Sequence, residues 1–193
     1  MDSPAGLHAV AAPHAGLQAR AWQVLEAVTD PEIPVVTLRE LGILRDVRTA
    51  ADGVLEVVIT PTYSGCPAMG QIEDDVRAVM QREGLEARVV TQLAPAWTTD
   101  WITEAAREKL RAYGIAPPGR CSTSAAAGLA GSAGAPSALL RFASPRPGQQ
   151  ATVPCPRCGS GNTTETSHFG STACKALYRC LNCMEPFDHF KPY

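Results

Sequence analysis

The chain has 193 residues, a mass of 20.4 kDa and a formal net charge of −2, with 45% hydrophobic and 19% charged residues. That composition is globular and has room for one ordinary core plus a small module. No apolar run approaches the ~20 residues needed to cross a bilayer, and the slight acidity argues against general polyanion binding.

The first sixteen residues, MDSPAGLHAVAAPHAG, have an acid at position 2, prolines and no basic stretch leading into a continuous apolar core. They read as a mobile tail, not a signal peptide, and the protein is expected in the cytoplasm. Leu17, Ala21, Leu25 and Val28 then follow helix-face spacing, with Pro31 as the limit. Thr37 and Glu40 have capping-box spacing for a short turn ending at Gly42. Ile43 to Arg48 and Val54 to Thr60 flank an Asp52-Gly53 turn signal and predict a β-hairpin.

Pro67 suits the first turn of a second helix, whose face is Met69 or Ile72, Val76, Val79 and Met80, with Gly84 as its stop. Glu86 to Ala94 is β-rich. Trp101, Ile102, Ala105, Ala106, Leu110 and Tyr113 form a last helical stripe before Gly114 and Pro117-Pro118. The order αββαβα predicts an α+β fold, a two-layer α/β sandwich over residues 17–118 with its helices on one side of three strands. Residues 119–150 are Ala, Gly, Ser and Pro with few large apolar groups, and read as a linker in which Leu139, Leu140 and Phe142 form a short cluster.

Residues 151–193 carry the strongest motif. Cys155-Pro-Arg-Cys158 and Cys180-Leu-Asn-Cys183 are two CxxC turns with 21 residues between them. Each turn sets two thiolates on one metal, Gly159 permits the tight backbone beside the first, and two such hairpins close a tetrahedron. The prediction is a small β zinc ribbon with structural Zn2+. Rubredoxin-like iron or an iron–sulfur cluster fits the same ligand set, which leaves an electron-transfer component as an alternative. Seven cysteines, four of them paired this way, fit a reducing compartment better than a disulfide framework. Cys174 lies off the CxxC grid and reads as a packing residue or a free thiol, not a ligand; His168 and His189 read as local structure. Arg157, Lys175, Arg179 and Lys191 read as a solvated face more readily than as the nucleic-acid surface of a regulator.

A second motif is Thr60-Pro-Thr-Tyr-Ser-Gly-Cys66-Pro67, where a strand ends in a polar loop just before a helix. Two readings stand for Cys66. Near a helix N-terminus a thiol is pushed toward thiolate, a soft ligand; alternatively it is a small residue filling a strand–helix corner. Asp30 and Glu32, bracketing Pro31, read first as a helix exit and turn. Thr60 and Thr62 read as loop supports.

Asp30-Pro-Glu-Ile-Pro34, Leu41-Gly-Ile-Leu44 and Thr60 to Pro67, at these spacings, resemble the iron–sulfur assembly domain family that includes SufT-type proteins. Pro95-Ala-Trp-Thr-Thr-Asp-Trp-Ile102 and the ribbon around Phe169 to Cys180 resemble one branch, the D subunits of phenylacetyl-CoA epoxidase systems. The resemblance implies an accessory, non-catalytic maturation component. Its partners would be a diiron oxygenase and a reductase with FAD and a [2Fe-2S] cluster. It implies Cys66 as the residue that handles iron or a transient iron–sulfur cluster, with Asp30, Glu32 and Thr62 around it. A second ligand would come from a partner or from another copy in a homodimer, and the ribbon would serve as a docking module.

Overall fold

The computed structural model describes residues 14–119 and 152–192. The first thirteen residues of the expected tail, and the expected linker beyond Gly119 with its Leu139, Leu140 and Phe142 cluster, lie outside the described residues. The chain divides into two compact units between Lys109 and Leu110.

In the first unit, helix α1 spans His14–Leu25, so it starts inside the stretch read as tail. Ala21, Leu25 and Val28 are buried as the spacing predicts, whereas Leu17 is on the surface. Strands β1 (Leu44–Thr49) and β2 (Leu55–Ile59) form the expected antiparallel hairpin, with a bulge between Leu44 and Asp46. Helix α2 (Met69–Arg82) buries Ile72, Val76 and Met80. It ends in a Schellman motif: Gly84, at φ +67°, donates its N–H to Gln81, and Leu85 N–H reaches Met80 O at 3.0 Å.

Strand β3 (Ala87–Thr91) then pairs parallel with β2, giving the order β1-β2-β3. The parallel pair joined through α2 is a βαβ unit. Pairing puts Thr49 opposite Leu55 and Thr91 opposite Ile59, on one face of the sheet. Gln18 of α1 bonds Thr49 Oγ1 and Glu73 of α2 accepts from Thr91 Oγ1, so both helices cover that face. This helix layer over a mixed sheet is the α+β arrangement the element order predicts.

The last helix differs in detail. A 3-10 turn, Thr99–Trp101, and an extended Ile102 precede helix α3 (Glu104–Tyr113), which Thr103 caps by accepting from Ala106 N–H. Of the predicted stripe, Ala106 and Leu110 are buried on the helix while Ala105 and Tyr113 are exposed. Trp101 stacks on the Arg45 guanidinium instead.

The start of α3 is tied to the predicted capping-box turn. Glu40 Oε2 accepts from Thr37 N–H (2.9 Å) while Glu40 N–H reaches Thr37 Oγ1 (3.2 Å). Its other oxygen meets Lys109 Nζ at 2.7 Å, and its carbonyl takes Thr103 N–H at 3.0 Å. Trp97 Nε1 donates to Leu41 O, and Gly42, at φ +72°, lies so near Trp101 that a Cβ there would stand 2.6 Å from the Trp101 Cβ.

In the second unit, β4 (Ile115–Ala116) pairs parallel with β7 (Pro186–Phe190), and antiparallel β6 (Lys175–Cys180) and β5 (Thr163–Ser167) complete the order β4-β7-β6-β5. The sequence division at 118 leaves Ile115 and Ala116 with the first domain, whereas their backbone completes the second sheet. A two-residue strand beside Pro117-Pro118 carries no periodic signal, and its partner is distant along the chain.

Replacing Glu40 with Gln is expected to lower stability by about 1 kcal/mol at pH 7, the usual size of a lost cap. Partial burial raises the Glu40 carboxyl, but Lys109 and Thr37 outweigh it and hold the group below its ordinary 4.5. The contribution is therefore full above that pH and fades as pH falls through the lowered value, so chemical denaturation of wild type and Glu40→Gln should converge in acid. Gly42→Ala, strained both by φ and by Trp101, should cost more than Glu40→Gln in the same measurement.

Candidate functional site

The two CxxC turns meet at one end of the second sheet. Gly159, at φ +74°, follows the first turn, with Gly159 N–H on Cys155 O and Cys155 N–H on Ser160 O. The second repeats that geometry without a glycine: Met184 takes φ +66°, and Cys180 N–H bonds Glu185 O. The turns are joined through Asn162, whose carbonyl accepts from Leu181 N–H and whose amide donates to Asn182.

All four sulfurs lie within 4.8 Å of one another. Cys155 Sγ stands 3.7 Å from Cys183 Sγ, and Cys158 Sγ 3.6 Å from Cys180 Sγ. These separations exceed the ~2.05 Å of a disulfide by far. They match the about 3.8 Å edge of a tetrahedron with ~2.3 Å metal–sulfur bonds.

Electrostatics at the cluster favours a cation. The Cys183 N–H, pointing at Cys180 Sγ (3.5 Å), does most to lower the Cys180 thiol to about 6. The Glu185 amide lowers Cys183 too, but burial and the sulfurs of Cys180, Cys158 and Cys155 push it up to about 12. One thiolate thus forms readily, and further ones require positive charge among them. Ala116, Cys155, Cys180 and Phe187 form the buried core here, with Val153, Tyr178 and Cys183 packed against it. So small a core depends on the metal for much of its folding free energy. Cys174 is outside the cluster, buried with its Sγ 3.0 Å from Thr172 Oγ1.

The Cys66 loop leaves the C-terminal end of β2, where open α/β sheets commonly bind ligands. Thr60 N–H bonds Ile43 O (2.8 Å), Thr60 and Thr62 are buried, and Cys66 is half-buried with its N–H on Tyr63 O. Helix α2 starts later than predicted, with Ala68 at the cap. Ala68 is itself in helical conformation, and Cys66, two residues earlier, meets the first turn through its carbonyl, which accepts from Met69 N–H (3.3 Å).

Asp30 is buried, and its Oδ1 accepts from Glu32 N–H (2.9 Å) and Ile33 N–H (2.8 Å), the turn role first read for it. Glu32 is half-buried. Asp30 N–H bonds Val36 O, Leu38 N–H bonds Val28 O, and Leu38 O takes Ile43 and Leu44 N–H. Since Ile43 holds Thr60, both loops are anchored at the same end of the β1–β2 pair. Glu40, Trp97 and Met184, unremarked or only partly read in sequence, act through backbone contacts that periodicity does not register.

Removing the metal with a chelator should collapse the amide dispersion of residues in β5 to β7 in an NMR spectrum of the whole chain. Met184→Gly removes an exposed side chain from a left-handed backbone position and should raise resistance to chelation, with a gain of about 1 kcal/mol.

Two family models match: an iron-sulfur cluster assembly protein family over residues 18–92, and the PaaD zinc beta ribbon domain over residues 143–191. Residues 18–92 include both loops, and the ribbon match includes all four clustered cysteines. A Porphyromonas gingivalis (strain ATCC BAA-308 / W83) protein named Fe-S protein maturation auxiliary factor is 34% identical over 46% of this chain and 85% of its own length. A solved Bacillus anthracis structure, a domain of unknown function termed DUF59, has 29% identity and a TM-score of 0.45, covering 50% of this chain and 92% of that one. An Escherichia coli (strain K12) protein that carries the name of a 1,2-phenylacetyl-CoA epoxidase D component is 47% identical over 88% of this chain and 90% of its own length. With that identity along nearly the full length of both chains, the protein belongs to the family of phenylacetyl-CoA epoxidase D subunits.

Proposed function

We propose that this chain is an accessory maturation subunit of a phenylacetyl-CoA epoxidase, a multicomponent oxygenase of aerobic phenylacetate breakdown. It would act in the cytoplasm on the diiron oxygenase or on its flavin and iron–sulfur reductase. The observation that carries this reading is the pairing, in one chain, of an assembly-type domain presenting Cys66 beyond β2 with a ribbon whose four thiolates close on one point.

The ribbon's metal is zinc on this reading. Four protein sulfurs complete a tetrahedron and leave no open coordination position for a substrate, so the centre holds a shape and does no chemistry. Its role is to present a docking surface to the epoxidase partners.

Cys66 supplies a thiolate to the cargo, iron or an iron–sulfur cluster. Asp30 fixes the neighbouring loop through its two amide bonds, while Glu32 and Thr62 contribute oxygens near the same end of the sheet. One thiolate is too few for stable retention, which suits a carrier that must release what it holds. A further ligand comes from a partner or a second copy of this chain.

Reconstitution of the oxygenase and reductase with wild type or Cys66→Ala tests this. Loss of most epoxidase activity and partner iron with the variant, with its zinc retained at one per chain, is the expected result. Full maturation by Cys66→Ala would remove Cys66 from the mechanism. Visible absorption that survives the variant and bleaches with reductant would instead make the ribbon an electron-transfer centre.

A further inference from the structure

On the second unit, Glu165, His168, Ala176, Tyr178, His189, Lys191 and Pro192, none of them one of the four clustered cysteines, line a groove of about 280 Å³. Pairing sets the floor: Ala176 lies opposite His189, and Tyr178 opposite both Phe187 and Glu165. The groove mixes polar and apolar lining, as small-ligand sites do.

Two of its polar side chains, His189 and Lys191, are buried. His189 is only 8% exposed and rests edge-on against Tyr178, and among the described residues its ring nitrogens have no hydrogen-bond partner. Among the described residues no polar side-chain atom is sealed from solvent without a partner, so those nitrogens open to the groove. Burial lowers His189 to about 4, against the opposing charge of Glu165, so the ring is neutral at pH 7 and offers one N–H.

Lys191 is 9% exposed. Its ammonium donates to His168 O at 3.2 Å and lies over the Phe169 ring at 4.7 Å, but no carboxylate of the described residues stands within ion-pair distance. The other buried lysine of this unit, Lys175 (4% exposed), has Asp188 at 3.7 Å. Buried charges are ordinarily paired. The groove's own acid does not serve Lys191: Glu165 Oε2 accepts from Tyr178 O–H at 3.0 Å, and Oε1 meets His168 Nδ1 at 3.2 Å.

We infer that this groove is a carboxylate-binding site, in which Lys191 supplies the charge and His189 a directed N–H. The shared chemistry is a single carboxylate, presented either by an acidic residue of a partner protein or by a free organic acid. The planar anion is small enough for the volume, and the aromatic walls suit the carbon that bears it. Neither the metal cluster nor the Cys66 loop takes part.

The test is an NMR titration of the metal-loaded full chain, at constant ionic strength, with sodium acetate and with a capped Gly-Asp-Gly peptide. Saturable shifts of the His189 ring nitrogens and the 189 and 191 amides are expected with at least one probe. Tighter binding of the peptide would assign the site to a protein carboxylate, and equal or tighter binding of acetate to a free organic acid. Lys191→Met should weaken binding about tenfold or more, while Lys191→Arg retains it.

Glu165→Gln gives the sign of the preferred charge even if Lys191→Met fails to fold. Removing this negative charge should tighten an anion by roughly two- to fivefold, and weaken a cation. Shifts that rise linearly with both probes, binding indifferent to Lys191→Met, or weakening by Glu165→Gln would overturn the assignment. Cys66→Ala should leave the binding unchanged, so the outcome is separable from that of the maturation role.

Discussion

Four sulfurs within 4.8 Å of one another cannot all carry negative charge unless a cation stands among them, and the ribbon is built around that constraint. The Cys183 amide favours the first thiolate on Cys180, and crowding by the other sulfurs opposes the next. The buried core beside them is Ala116, Phe187 and two of the cysteines themselves, so the metal ligands are themselves part of the packing. The left-handed backbone at Met184 belongs to the same constraint. Its conformation matches that of Gly159 in the first turn because both turns must aim amides and sulfurs at one point.

The first unit answers a different problem, holding two irregular loops in fixed positions at one end of a sheet. It does so with backbone hydrogen bonds: Asp30 gathers its own turn, Leu38 accepts from the start of β1, and Ile43 holds Thr60. Glu40 adds a tie to the N-terminal side of α3 and to Lys109. Within that frame Thr60 and Thr62 are buried and Cys66, later in the same loop, is only partly exposed. The accessory role rests on identity along the chain and on the assembly-domain match.

Much of this was legible in the residues. The 3.6-residue stripe Ile72, Val76, Met80 could only be one buried helix face, and Asp52-Gly53 between β-prone runs could only be a tight reversal. The capping box Thr37 to Glu40 formed as spaced. Errors cluster where local pattern and tertiary demand part: Leu17 fits the α1 stripe but lies outside, and Trp101 and Ile102 look helical but form a 3-10 turn and an extended joint. Pro67 marked the first turn of α2, whose regular hydrogen bonding starts at Met69.

The sequence by itself determined the element order, the hairpin and the two CxxC turns that make a metal-binding ligand set, because each depends on residues close in the chain acting through periodicity or covalent spacing. Only the tertiary structure decided what brings distant residues together. It set the parallel pairing of β2 with β3, the recruitment of Ile115 and Ala116 to β7, and the joint anchoring of the Asp30 and Cys66 loops. It also left Lys191 buried near His189 with no carboxylate of the described residues in ion-pair reach. Such pairings follow from which surfaces must be covered and which charges matched once the chain has closed on itself, and no local pattern of residue types encodes them.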